Sequence, residues 1–185
     1  GYDMKLMIAS DIHGSAFYCD KMLNTFAKEN PERLLLLGDL LYHGPRNDLP
    51  KNYEPKKVIQ MLNGVKDKII CVRGNCEAEV DQMVLEFPVL SESLLMFLDN
   101  RLIFATHGHI YNKDKLPALQ PGDVFLQGHT HIPVLSKIGD NFFMNPGSVS
   151  IPKENSEHSY MIYENQSFTL KNLDGKILSD FNLLS

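Results

Sequence analysis

The chain has 185 residues, 43% of them hydrophobic, which suits one globular domain spanning residues 1–185 and is short for two. Its formal net charge of −5, with acidic and basic residues interspersed, argues against a nucleic-acid polymer as partner, because such binding rests on clustered Lys and Arg. No stretch approaches the roughly 20 apolar residues of a membrane span, the start GYDMKLMIAS lacks the order of a signal peptide, and three cysteines without CxxC spacing suggest neither disulfides nor structural zinc.

A cytoplasmic protein with reduced thiols and no membrane partner is therefore expected. Gly1 to Asp3 read as a leftover of cloning, since a start at Met4 would run straight into the first strand. KLMIAS (Lys5 to Ser10) predicts a strand that ends in the loop DIHG. Ser15 to Asn30, with Phe17, Met22, Leu23 and Phe26 at helical spacing, predicts a helix. RLLLLGD (Arg33 to Asp39) is a second apolar strand. YHGPRNDLPKNYE (Tyr42 to Glu54) is the one long irregular insertion. PKKVIQMLNG (Pro55 to Gly64) is a helix opened by proline and closed by glycine, and KIICVRGN is a third strand leading into the acidic segment EAEVDQM.

Near-continuous apolar strands alternating with helices predict a mostly parallel sheet covered on both faces. The second half reads differently. LLMFLDNRLIFATHG predicts a hairpin turning at Asp99-Asn100, and SFTLKNLDGKILSDF another turning at Asp174-Gly175, so antiparallel strands are expected to dominate there.

The coordinating side chains fall at the carboxyl ends of the apolar runs. Asp11 and His13 follow the first strand, Asp39 the second and Asn75 the third; His107 follows IFAT, and His129 and His131 follow DVFLQG. In an open α/β sheet that edge is where ligands bind, so these residues are expected to converge in one crevice. Any one histidine alone is more often a solvated or core residue, and a lone GD or GN more often a turn. Together, two carboxylates, one amide and four imidazoles form a donor set for a pair of divalent cations such as Mn, Fe or Zn.

Asp11-Ile12-His13, Gly38-Asp39, Gly74-Asn75-Cys76, His107 and Gly128-His129-Thr130-His131 occur in this order, each after a predicted strand, with NPGSVS (Asn145 to Ser150) beyond them. The chain thereby resembles the calcineurin-like metallophosphoesterases, in particular their small bacterial and archaeal phosphodiesterase branch. The resemblance covers nearly the whole chain. It implies an α/β fold, the four-layer α-β-β-α sandwich of that family. It also implies a site in which Asp11, His13 and His131 hold one divalent ion, Asn75, His107 and His129 a second, and Asp39 bridges them. Mn is the first expectation for the metal, with Fe, Zn or Ni as alternatives. The implied reaction is in-line attack on a small organic phosphodiester by hydroxide bridging the ions. A phosphomonoesterase of the same fold and a non-catalytic scaffold of the Vps29 type are the alternatives, and homo-oligomerisation is left open. Adjacent Asp11 and His13 in an extended loop would point the same way, whereas His129 and His131 need a turn between them to serve different ions.

Cys76 stands where the family carries a histidine or aspartate, the histidine protonating the leaving oxygen. Four readings are open: a nucleophile, which the metal hydroxide makes redundant; a thiolate ligand, although the ligand count is full without it; a small buried hydrophobe; or a weak acid in the acid's position. His109 in THGH is a candidate for supporting the ligands or facing substrate, against mere solvation. Arg46 is a candidate phosphate clamp, against a solvated loop arginine, and Arg73 is a weaker one. Cys19 and Cys71 read as core residues.

Overall fold

The computed structural model describes residues 4–185, so the reading of Gly1 to Asp3 lies outside them. Among the described residues three strands and three α-helices alternate in the first half of the chain, and eight strands follow. The first half comprises β1 (Leu6–Ala9), α1 (Ala16–Glu29), β2 (Arg33–Leu36), α2 (Pro55–Asn63), β3 (Ile69–Cys71) and α3 (Glu79–Val84). Then come β4 (Ser93–Leu98), β5 (Arg101–Thr106), β6 (Val124–Leu126), β7 (Val134–Ile138), β8 (Asn141–Asn145), β9 (Ser159–Glu164), β10 (Ser167–Asn172) and β11 (Ile177–Asn182).

The strands form two mixed sheets, one of six strands in the order β11-β10-β9-β1-β2-β3 and one of five in the order β4-β5-β6-β8-β7. As expected, the strands of the first half pair in parallel and antiparallel pairings outnumber parallel ones among those of the second, but each sheet mixes the two directions. In the first sheet β1, β2 and β3 run parallel, but β9 adds antiparallel to β1, so a parallel core is extended by an antiparallel half. In the second, β5, β6 and β8 run parallel, and only the edge strands are antiparallel. Short separated runs such as DVFLQG carry no mark of their partner's direction, which hairpin turns reveal only for neighbours in sequence. Both predicted hairpins are present. Asp99 and Asn100 both take positive φ, 53° and 61°, as a two-residue turn matched to strand twist requires.

The apolar runs are continuous because the six-stranded sheet is buried on both faces. Leu34 and Leu36 of β2 face one core with Met7, Ala9, Cys19, Met22, Phe26, Val58 and Leu62, which seats α1 and α2. Leu35 and Leu37 face the other, against Ile103, Ala105, Val124, Leu126 and Met144 of the second sheet. Helix α1 starts where Ser15 accepts the N–H of Tyr18 and stops at Asn30, whose left-handed φ of 51° ends the ladder. Among the described residues every α-helix precedes β4, and the outward face of the five-stranded sheet carries a loop in place of a helix. Phe104, Phe125 and Phe143, paired in register across β5, β6 and β8, stack along that face at 5.9 and 5.7 Å, and Tyr111 of the loop after β5 meets Phe104 edge-on.

Candidate metal centre

The predicted residues meet where β1, β2, β3, β5 and β6 end. Near one end, Nε2 of His13 and Nε2 of His131 are 3.2 Å apart, and each lies 3.3 Å from Asp11 Oδ1. Near the other, His107 Nε2 lies 3.0 Å from Asn75 Oδ1, 3.1 Å from His129 Nδ1 and 3.1 Å from Asp39 Oδ2. Asp39 Oδ2 is also 3.7 Å from His13 Nε2, so this carboxylate stands between the two groups. Asp11, His13, Asp39, His107 and His131 are all buried, and His129 is half-buried.

Local backbone, not strand alternation, aims these side chains. Asp11, His13, Asp39, His129 and His131 all take left-handed φ, from 49° to 69°. The extended loop expected at Asp11 and His13 is absent; two left-handed residues turn both side chains into the crevice. Asp, His and Asn reach this region more readily than most residues, yet each instance costs on the order of 1–3 kcal/mol and persists only where its surroundings over-determine it. Those surroundings are visible. The N–H groups of Asp11, His13 and Gly14 donate to the carbonyls of Gly38, Asp39 and Leu40, locking the two loops together. Ser148 and Ser150 of the NPGSVS stretch both donate to the Asp11 carbonyl, and Ser10 donates to Asp11 Oδ2 at 2.6 Å.

Three histidines have their tautomer set from behind. Nδ1–H of His13 donates to the Tyr42 carbonyl at 2.8 Å, that of His107 to Leu37 at 2.6 Å, and that of His131 to Ile151 at 2.7 Å. A carbonyl only accepts, so each neutral ring turns the Nε2 lone pair inward. Without cations, protons take their place. Burial disfavours charge on His107, yet Asp11 and Asp39 outweigh it and push its pKa up to about 9. His13 is raised in the same way, burial being overcome by Asp11 and Asp39. Asp11 goes well down despite its burial, held ionised by His107, His13 and His131.

One supporting residue stands outside the sequence pattern. Glu77, buried, accepts the backbone N–H groups of Asp39, Leu40 and Gly74 at 2.7, 2.9 and 2.8 Å. It thus ties the loops after β2 and β3 together behind the candidate ligands. Burial first, then Asp39, push its carboxyl up to about 7. Its only sequence signal is an acid two residues beyond Asn75, indistinguishable from the solvated acids that follow. Gly74 belongs to the same device: a Cβ there would overlap Asp39 Oδ1.

A cavity of ≈ 330 Å³ opens over the cluster, lined by His13, Asp39, Asn75, Cys76, His129 and His131 together with Arg46 and Lys153. Cys76 faces it half-buried, in contrast to Cys19 and Cys71, which are core residues. Burial, then Asp39 and Glu77, push its thiol up to about 12 in the metal-free protein. Arg46 lines the same cavity from the insertion. His109 is brought to the other side: its ring lies 5.5 Å from His107 and 6.3 Å from His129, and it lines a neighbouring groove. Lys153 had no sequence signal that set it apart from other exposed lysines.

Residues 4–167 match the model of the calcineurin-like phosphoesterase superfamily domain. The chain is 49% identical over 162 residues, 88% of either chain, to phosphodiesterase YfcE of Escherichia coli K12. A solved structure of YfcE, described as a phosphoesterase from E. coli, superposes with a TM-score of 0.95 at 46% identity, over 97% of this chain and 100% of the other. Vacuolar protein sorting 29 from Cryptosporidium parvum shares the fold at a TM-score of 0.62 and 18% identity, over 98% of this chain and 100% of that one.

Proposed function

Because the chain belongs to the calcineurin-like phosphoesterase superfamily, we propose that it is a phosphodiesterase acting on a small organic phosphodiester with two divalent cations, Mn foremost, held in the cleft. The observation that supports this most is the inward pair of Nε2 atoms on His13 and His131. Two lone pairs at 3.2 Å repel unless a cation or proton lies between them, and beside them Asp11 Oδ1 is buried without a hydrogen-bond partner. Imidazole nitrogen and carboxylate oxygen in this number suit Mn, Fe, Zn or Ni.

In this reading Asp11, His13 and His131 hold one ion, Asn75, His107 and His129 the other, and Asp39 both. When bound, such ions would polarise a phosphoryl oxygen and lower the pKa of bound water. The chain supplies the rest. Arg46 and Lys153 draw the anionic phosphoryl group into the cleft. Backbone carbonyls keep three imidazoles in the binding tautomer. Cys76 stands where an acid would serve the leaving oxygen, and a thiol is a poor substitute for an imidazolium, which favours diesters with good leaving groups over monoesters or alkyl esters. The reduced thiols and diffusible substrate fit a cytoplasmic enzyme.

A scaffold of the Vps29 type has no need of seven converged donors, and that difference sets the test. Protein stripped with chelator should hydrolyse bis-p-nitrophenyl phosphate only after Mn is restored, and metal analysis should find two ions per chain. Turnover that survives exhaustive chelation would sink the reading; a chain that binds no ion would favour the scaffold.

A further inference from the structure

Beyond His129 and Thr130, which it shares with the cleft, a second groove of ≈ 680 Å³ runs over the outward face of the five-stranded sheet. Its floor is Ile132, Val134, Ile138 and Phe143, and its wall is the loop from Gly108 to Asp114. Phe143 ends the stacked phenylalanine row, so the floor is rigid. At the end nearest the cleft lies Gln127, 2% exposed. Its amide orientation is fixed: Nε2 donates to the Gly128 carbonyl at 3.1 Å, a group that only accepts, so Oε1 is the free atom. That Oε1 is buried with no partner, as is Nδ1 of His109 on the same groove. A buried amide oxygen left unpaired is destabilising, and native proteins keep few of them. Gly108, at φ 117°, makes the arrangement possible, since a Cβ there would come within 2.7 Å of Gln127 Nε2.

We propose that this groove binds one alcohol arm of the phosphodiester, an uncharged, largely apolar ring bearing an N–H or O–H that donates to Gln127 Oε1. The proposal rests on the diesterase reading and adds the class of substrate. Cys76 lines the cleft away from the groove, which leaves it the departing oxygen, so the arm beyond His129 and Thr130 is the one retained on phosphorus. The volume suits it, because ligand sites of roughly 300–1,000 Å³ hold groups of that size and are mostly apolar with a few placed polar atoms.

The test compares two p-nitrophenyl diesters that share a leaving group and differ in the retained arm, methyl or 5′-thymidyl, the latter carrying a ring N–H. With Mn restored, kcat/KM for the thymidyl ester should exceed that for the methyl ester by at least about tenfold, mostly through KM. Val134→Trp, which fills the groove from an edge strand, and Gln127→Leu, which removes the acceptor, should each bring the ratio within any one preparation close to unity. A ratio near unity in the unmodified chain, or one that survives either substitution, overturns the proposal. If neither ester is hydrolysed, the diesterase reading fails, and the groove is judged on binding alone. Thymidine added to the protein should then shift the amide NMR signals of Gly108, Gln127 and Val134, and unmoved signals there overturn it.

Discussion

His13 and His131 point Nε2 at Nε2 across 3.2 Å, each ring turned that way by a carbonyl behind it. Such a pair is incomplete without a positive charge between its members. Adding Mn to chelator-treated protein should therefore raise the melting temperature. At a hundredfold excess over Kd one site contributes about 2.7 kcal/mol, or roughly 5–10 °C for a chain of this size. Thermal unfolding with and without Mn checks this; coincident curves would remove the ions from the site.

The metal-free protein should lose stability as pH rises. His107 titrates near 9 when folded against 6.5 unfolded, so its contribution is complete below pH 6.5 and lost as pH climbs through 9. The size is on the order of 3 kcal/mol. Glu77, at about 7 against 4.5, favours its neutral form in the fold, and its contribution is lost between those values, with the same sign. Asp11 works oppositely, and only on the acid side, where protonation costs stability below its usual value of 3.8. Melting curves in chelator should thus decline from about pH 5 to about pH 9, and bound Mn should flatten the upper part by replacing the His107 proton. A flat profile in chelator contradicts the charge assignment.

Cys76 gives a leaving-group prediction. A positioned general acid is worth roughly 10²–10⁴-fold, more as the leaving oxygen becomes more basic, and a thiol fills that role poorly. Cys76→His should raise turnover, and raise it more for alkyl than for nitrophenyl esters. Cys76→Ala should change nitrophenyl turnover by less than about threefold, since in the proposed reaction water activated by the ions, not the thiol, attacks phosphorus. Activity abolished in Cys76→Ala with both ions bound would mean that the sulfur attacks phosphorus.

Glu77→Gln tests the brace behind the candidate ligands. An amide cannot accept from three N–H groups with both its terminal atoms, so at least one donor is orphaned and faces an NH2, costing about 1–3 kcal/mol. The loops after β2 and β3 should loosen, and affinity for the ion held with Asn75 should fall about 10–100-fold, read by titration calorimetry. Unchanged affinity together with a lowered melting temperature would confine Glu77 to the fold.

Most of the candidate site is legible in the chain. Asp11, His13, Asp39, Asn75, His107, His129 and His131 stand at the ends of apolar runs, and a strand end is where a polar side chain can leave a buried sheet without orphaning its backbone. The hairpin at Asp99-Asn100 was equally plain, because two residues at positive φ restrict the turn's residue types. Asp11 and His13 were expected to converge by extended alternation and converge by left-handed turns, which leave no periodic trace.

Residue order alone therefore determined which donors the protein brings together and the strand-and-helix frame that carries them, since both follow from local chemistry: apolar period, proline, glycine and the polar residue that ends each run. Tertiary structure decided the rest. The parallel pairing of β5, β6 and β8, the burial of Glu77 under Asp39, the partnerless oxygen of Gln127 and the floor beneath it all join residues far apart in the chain. Such contacts are chosen by which surfaces exclude water together, and a side chain's neighbours across a sheet are no property of its neighbours along the chain.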